Sequence, residues 1–358
     1  MPYLYVYAIY ILVFLVPCFV IDGIPLNYFL ACALIVFSAL FAQGGGVLRK
    51  ITIMKIDNAQ YGYILIVLMF SIIIFLAAGY TGLTNRADLF DGKSNYVTSS
   101  SSFFKTQIDY IIISFGVFCL SFGVYGGGRV FVVVGSLISA YIITSTGTRW
   151  LFLLSFSPVM YNFLATRSIY SALLLFLLGV FASFYISMNR DSNVELDLDG
   201  ALLWDVPSFQ SVLILKSYQP TISGLIDFFN GNVLILIPRM LWPNKPLDSV
   251  VTNYMLDELG FAFEGGATIL PGVVGSGWLY GGYVGIVFIG VIIGLLMRLS
   301  EKASVYNGDG VNYGVVPLVY VGALLQLRGF SVFYFMPAIY LFFAVRVVKW
   351  TKKSYIID

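Results

Sequence analysis

Histidine is absent from all 358 residues of the chain. That absence removes imidazole acid–base catalysis, imidazole metal ligands, and serine–histidine or cysteine–histidine nucleophiles. Charge is scarce as well: 11% of residues are Asp, Glu, Lys or Arg, against about 25% in a typical soluble domain. The chain therefore lacks the polar residues needed to cover a water-facing surface. Cysteine numbers three, at Cys18, Cys32 and Cys119, each inside an apolar run and none at metal or disulfide spacing. Any chemistry must run on carboxylates, arginine, lysine, tyrosine or backbone dipoles.

What is present is apolar. Hydrophobic residues make up 59% of the chain and the mean hydropathy is +0.90. Length alone suggests roughly two domains, but repeated long apolar runs overrule that and predict an all-α polytopic membrane protein. A membrane barrel would alternate in polarity, and YLYVYAIYILVFLVPCFVI does not. About ten spans are expected, near 3–21, 25–42, 61–79, 109–125, 130–146, 150–166, 168–188, 280–297, 312–328 and 331–347. The first is expected to be a retained helix, with no basic stretch before it and no small-residue cleavage site after it. Arg149 and Pro158 interrupt the pattern around 130–166.

Orientation follows from the basic residues. With both termini in the cytoplasm, eleven Lys and Arg against four acids fall inside, and nine against fourteen outside. The tail RVVKWTKK is the clearest anchor. The organisation expected is a seven-helix bundle over 1–188, a large periplasmic loop over 189–279, and a three-helix bundle with a basic cytoplasmic tail over 280–358. Outside lie a loop near 80–108 with a solvated serine run, short hairpins at TSTGTR and LRGFS, and the large loop. That loop starts with the acidic NRDSNVELDLDG. SFQSVLILKSYQ and TISGLIDFFNGNVLILIP then suit helices lying in the interface, with Pro220 placed to open one.

The outer basic residues mark candidate chemistry. Arg149 ends the TGTR turn, Arg328 follows VYVGALLQL at a helix mouth, and Arg239 and Lys245 flank the knot RMLWPNKP. Guanidinium groups match phosphate oxygens as planar forks, each charge-assisted bond being worth roughly 1.5–3 kcal/mol. Such groups meeting on one face would form a diphosphate site; the alternative is that each merely reaches to the lipid headgroups. Pro238, Pro243 and Pro246 stiffen the knot. Trp242 either contacts substrate or anchors a re-entry turn in the interfacial belt. LPGVVGSGWLYGGYVG carries six glycines; Gly275 and Gly277 are open to ligand contact, whereas Gly290 and Gly294 read as a helix-packing pair. A base for a hydroxyl must be a carboxylate, with Glu264 first, then Asp248 and Asp205, each alternatively just a solvated loop acid. The DxD spelling inside ELDLD is read as chance in an acidic run, so no metal or other cofactor is expected.

The succession IPRMLWPNKP then GVVGSGWLYGGYVGI, with a large outer loop and the TGTR turn, resembles the Wzy-type O-antigen polymerases. The resemblance implies a glycosyltransferase of the bacterial inner membrane, and the absence of a convincing metal motif favours a metal-independent one. It would join undecaprenyl-diphosphate-linked oligosaccharide repeat units on the periplasmic side during lipopolysaccharide synthesis. Arg149, Arg239 and Arg328 would steady the departing diphosphate, with Lys245 beside them and Glu264 as base. A chain-length regulator protein and membrane lipid are the implied partners; nucleic acid is not. The chain departs from a pattern of some such polymerases, having no arginine followed eleven positions later by glycine. Two other readings stay open. O-antigen ligases share the architecture but are associated with a histidine that this chain lacks. A lipid-linked oligosaccharide flippase belongs to a different class, and would show internal repeats and midplane charges.

Overall fold

A computed structural model of the chain describes residues 2–19, 21, 23–44, 101–126, 129–146, 149–166, 207–221, 223–234, 254, 271–306 and 312–344. The architecture is helical, with no strand among the described residues. Helices α1 (Pro2–Leu15), α2 (Leu26–Gln43), α3 (Ser101–Gly126) and α4 (Arg129–Thr146) come first. They are followed by α5 (Arg149–Ser155), α6 (Ser157–Thr166), α7 (Pro207–Ser217) and α8 (Gly224–Asn232). Then come α9 (Gly272–Leu279), α10 (Gly282–Tyr306) and α11 (Asn312–Leu325), and a final apolar helical segment, α12 (Val332–Ala344). The expected spans near 61–79 and 168–188 lie outside the described residues.

Among the described residues, two helices, at Leu26–Gln43 and Gly282–Glu301, are long and apolar enough to cross a membrane, and five shorter apolar helices accompany them. Helix α2 shows why the interior alone does not account for this composition. One face packs inward through Tyr28, Ala31, Ile35, Val36 and Ala39. The opposite face carries Leu26, Leu30, Phe37 and Phe41, each at least half exposed. A water-facing helix would place charged or polar groups there, so both sides of α2 suit hydrocarbon.

By contacts the chain divides into two units. The first comprises residues 1–48, 167–298 and 323–332; the second comprises 49–166, 299–322 and 333–358. In the first unit, Tyr10 donates a hydrogen bond to the Ala323 carbonyl at 2.5 Å, and Tyr28 donates to the Phe14 carbonyl at 3.0 Å. Gly290 and Gly294 of α10 lie against α2: a Cβ at Gly290 would come within 2.8 Å of the Ile35 carbonyl oxygen, and one at Gly294 within 2.9 Å of the Ala42 Cβ. The pair serves helix packing, as its spacing indicates.

In the second unit α3 and α4 form an antiparallel hairpin, with Gly116 beside Ile138 and Gly135 beside Leu120. Helix α3 begins within the serine run expected to be solvated, at Ser101. Serine is well suited to the opening of a helix, where backbone N–H groups lack intrahelical partners. The apolar stretch 150–166 is broken at Phe156 into α5 and α6. Pro158 sits in the first turn of α6, where its missing N–H costs nothing.

Candidate functional site

In the first unit, α7 and α8 gather around α9 and its neighbours. All eight residues of α9 are buried. It lies against α7, and Ser211 is the joint between them. The Ser211 hydroxyl donates to the Pro271 carbonyl at 2.8 Å and accepts from the Gly275 N–H at 3.1 Å. Farther along, the Trp278 indole N–H donates to the Tyr218 carbonyl at 2.9 Å. Successive residues of α7 therefore meet successive residues of α9, so the two run parallel. Pro207 opens α7, while Pro220 stands in the connector before α8 and opens neither helix. This differs from the expectation for Pro220. Only Pro207 is followed directly by residues free to continue helically; Pro220 is followed by Thr221, whose hydroxyl is hydrogen-bonded to Ser223 in the turn.

Helix α8 is held by Phe228, which is buried against Tyr280, Phe288 and Phe330 at ring distances of 5.1–5.2 Å. Its other side leaves Ile226, Phe229 and Val233 exposed. An apolar exposed face on a short helix next to Asp227 matches one lying in a membrane interface. The Tyr218 hydroxyl is pushed above its ordinary value, first by burial and then by the nearby Asp227 carboxylate, with a Thr221 hydrogen bond opposing.

Arg328 emerges from this framework. It closes a 3-10 turn, Gln326–Arg328, at the end of α11. Gln326 is buried and ties the turn shut: its amide donates to the Ser331 carbonyl at 2.9 Å and accepts from the Ser331 N–H at 2.9 Å. Gly329 N–H donates to the Gln326 carbonyl at 3.0 Å, and Gly329 forms a bridge with Gly272 at the start of α9. Both glycines have positive φ, 150° and 72°, which side-chain-bearing residues rarely adopt. The neighbouring Phe330 N–H donates to Ser276 of α9 at 3.2 Å. The backbone of Arg328 is thus fixed on both sides while its side chain is exposed. That is an arrangement for a cation presented to something outside the fold.

The glycine candidates are occupied by packing. A Cβ on Gly275 would meet Ile214 and Ser211 of α7 at 3.0 and 3.2 Å; one on Gly277 would meet the Cα of Ile286 at 2.9 Å. Their missing side chains let α9 approach α7 and the start of α10. Arg149 opens α5 and belongs to the second unit, whereas Arg328 belongs to the first. Arg239, Trp242, Lys245, Asp248, Asp205 and Glu264 lie outside the described residues. No group of three or more metal-ligating side chains occurs among the described residues.

Sequence reasoning passed over one cluster in the second unit. Tyr110 near the start of the apolar part of α3, Trp150 in α5, and Phe333 and Tyr334 at the start of α12 meet as rings. Tyr110 stacks on Phe333 at 6.1 Å and tilts against Trp150 at 6.2 Å, and Trp150 meets Tyr334 edge-on at 5.1 Å. Asp109, which precedes Tyr110, is only 4% exposed. The Ser114 hydroxyl lies 2.7 Å from the Tyr110 carbonyl and 2.8 Å from that of Pro337, donating to one at a time and holding α12 against α3. Signals were available, since a carboxylate heads the apolar run after 108 and Trp150 follows Arg149, but only folding brings them together.

Compared with known proteins, the chain matches no family model, and neither a curated protein nor a solved structure shows significant similarity to it.

Proposed function

We propose that this chain is a membrane glycosyltransferase that polymerises oligosaccharide repeat units carried on undecaprenyl diphosphate. In this reading the chain crosses the bacterial inner membrane about ten times and acts on the periplasmic side. The observation that carries it is Arg328, an exposed guanidinium whose backbone is clamped by Gln326, Gly329 and the start of α9. The apolar outward faces of α2 and α8 support a site at a lipid boundary.

The reaction follows from the groups available. The bond between the anomeric carbon of the growing chain and its diphosphate oxygen breaks, and the electron pair leaves with the diphosphate. A hydroxyl oxygen of the next lipid-linked unit bonds to that carbon and gives its proton to a carboxylate, for which Glu264, Asp248 and Asp205 are the loop candidates. Negative charge grows on the leaving group in the transition state, and preorganised cations there lower the barrier. Arg328 takes that role in this reading, and the sequence offers Arg149, Arg239 and Lys245 as further cations for it. A fixed backbone matters because little reorganisation is then left for the moment of reaction.

Deletion of the gene, followed by electrophoresis of lipopolysaccharide, tests the assignment. Loss of polymerase leaves core capped with a single repeat unit. Bare core would instead indicate a ligase or flippase, and an unchanged long ladder would refute all three.

A further inference from the structure

We propose that the N-terminal ends of α7 and α9, with the Ser208 hydroxyl and Arg328, form a binding site for the phosphoryl group of a lipid. The proposal deepens the glycosyltransferase reading and rests on it only for the identity of that lipid, the undecaprenyl carrier.

The parts are brought together within the first unit. Ser211 of α7 meets Pro271 and Gly275, while the Tyr218 carbonyl after α7 meets Trp278. The two helices therefore run parallel, and their positive ends lie on the same side. Ser208 stands three residues before Ser211, so it shares that face of α7 and lies about one turn nearer the opening. At the opening of α9, Gly272 is bridged to Gly329, the residue after Arg328. The 3-10 turn that ends at Arg328 packs against α7 as well as α9. The exposed guanidinium thus starts from the end of the helix pair that carries the positive partial charge.

Ser208 is the independent sign of a ligand. It is only 3% exposed, and its hydroxyl oxygen has no hydrogen-bond partner among the described residues. Elsewhere in the chain Ser114, Ser139 and Ser217 donate to the carbonyl four residues back. Ser208 is the second residue of α7 and has no helical carbonyl behind it. A buried hydroxyl left so weakens the fold, and an acceptor is what it requires.

The donors select the occupant. Helix-opening N–H groups, a serine hydroxyl and a guanidinium all offer hydrogens, and the first and last bring positive charge. The matching ligand carries negative charge and several acceptor oxygens, as a phosphoryl group does, and helix N-termini are common seats for one. A neutral sugar brings donors that would find no acceptor here, and a cation would be repelled. The surroundings favour a lipid-borne phosphate over a free one. Helix α7 packs on α2, whose outer face is apolar and exposed. Phe228 of α8 packs on Phe330, two residues past Arg328, while Ile226 and Phe229 of α8 stay exposed.

The test uses the full chain in detergent, with lipid binding read by native mass spectrometry and thermal stability by stepped heating. The probes are undecaprenyl diphosphate, undecaprenol, phosphatidylglycerol and inorganic pyrophosphate. The wild type is expected to bind undecaprenyl diphosphate at least 10-fold more tightly than undecaprenol, with pyrophosphate competing. Ser208→Ala and Arg328→Ala are each expected to weaken that binding about 10-fold, the scale of a hydrogen bond to a charged group, with Arg328→Lys intermediate. Without lipid, Ser208→Ala should melt no lower than the wild type, because it removes a hydroxyl that has no partner. Equal binding of the diphosphate and the alcohol would overturn the site, and so would wild-type affinity in both alanine variants. A lower midpoint for Ser208→Ala would show that the fold already uses the hydroxyl, and would overturn it too. If Ser208→Ala binds normally and Arg328→Ala does not, the helix-end site falls while the role of Arg328 in the polymerase reading stands. Phosphatidylglycerol binding as tightly as the diphosphate would keep the phosphoryl site and assign it to membrane phospholipid. Binding that depends on Ser208, together with an unchanged ladder after gene deletion, would keep the site and remove the polymerase.

Discussion

The substitution Gly277→Ala separates packing from ligand contact within the glycine-rich stretch. The added Cβ would stand 2.8 Å from Ile286 Cγ1, 2.9 Å from Ile286 Cα and 3.1 Å from Ile286 N. The first of these is a side-chain atom that can turn aside. The other two are backbone atoms at the start of α10, so the α9–α10 turn itself must open. Overpacking of this kind costs about 1–3 kcal/mol, partly offset by the helix preference of alanine over glycine, about 1 kcal/mol. The net loss is then about 0–2 kcal/mol, or up to roughly 4 °C in the melting midpoint for a large chain. Gly275→Ala meets Ile214 Cδ1 at 3.0 Å and Ser211 Cα at 3.2 Å, neighbours with slightly more room, and should cost less. The assay is the detergent-solubilised chain heated in steps and followed by size-exclusion chromatography. If Gly277→Ala melts at the wild-type temperature while the polysaccharide ladder disappears, the packing argument is wrong and the glycine faces a ligand.

Three further outcomes follow from the same framework. Ser211→Ala removes both bonds joining α7 to α9 and leaves a buried carbonyl and N–H to find other partners, at about 1–3 kcal/mol for each unsatisfied group; the thermal midpoint should fall by several degrees, and Ser211→Thr should recover part of it. Gln326→Leu, which keeps the buried volume but unties the Ser331 turn, should shorten the ladder more than it lowers protein level, since Arg328 then loses its fixed backbone; an unchanged ladder would show that the clamp is dispensable. Above pH 10 the chain should lose stability, because an unfolded tyrosine ionises near 10 whereas Tyr218 is held neutral to higher pH by burial and Asp227. The contribution is full below that pH and lost as pH rises through the raised value; Tyr218→Phe should reduce the drop in a thermal series from pH 8 to 11.

How far the sequence could be read depended on the range of each interaction. Apolar runs need only local information, and the runs at 25–42 and 130–146 coincide with α2 and α4 to within a residue. Helix α10 extends to Tyr306, well past its apolar run, because helical hydrogen bonding does not end where the hydrophobicity does. The packing role of Gly290 and Gly294 was legible from their four-residue spacing, but that of Gly275 and Gly277 was not. Their partners, Ser211 on one side and Ile286 on the other, are set by a parallel helix pair that spacing cannot foretell. Arg328 was legible as a cation at a helix mouth; its Gln326 brace and the Gly272–Gly329 bridge were not. The ring cluster was the least accessible, since it draws on positions 110, 150 and 333, none of which carries a signal without the others.

The most direct measurement is complementation of the deletion strain with Arg328→Ala, Arg149→Ala and Arg239→Ala, each at matched membrane protein level, with lipopolysaccharide resolved by electrophoresis. The account predicts core capped by a single repeat unit for each alanine variant, with partial ladder recovery by Arg328→Lys. Full ladders from the alanine variants would contradict the claim that these guanidinium groups hold the departing diphosphate.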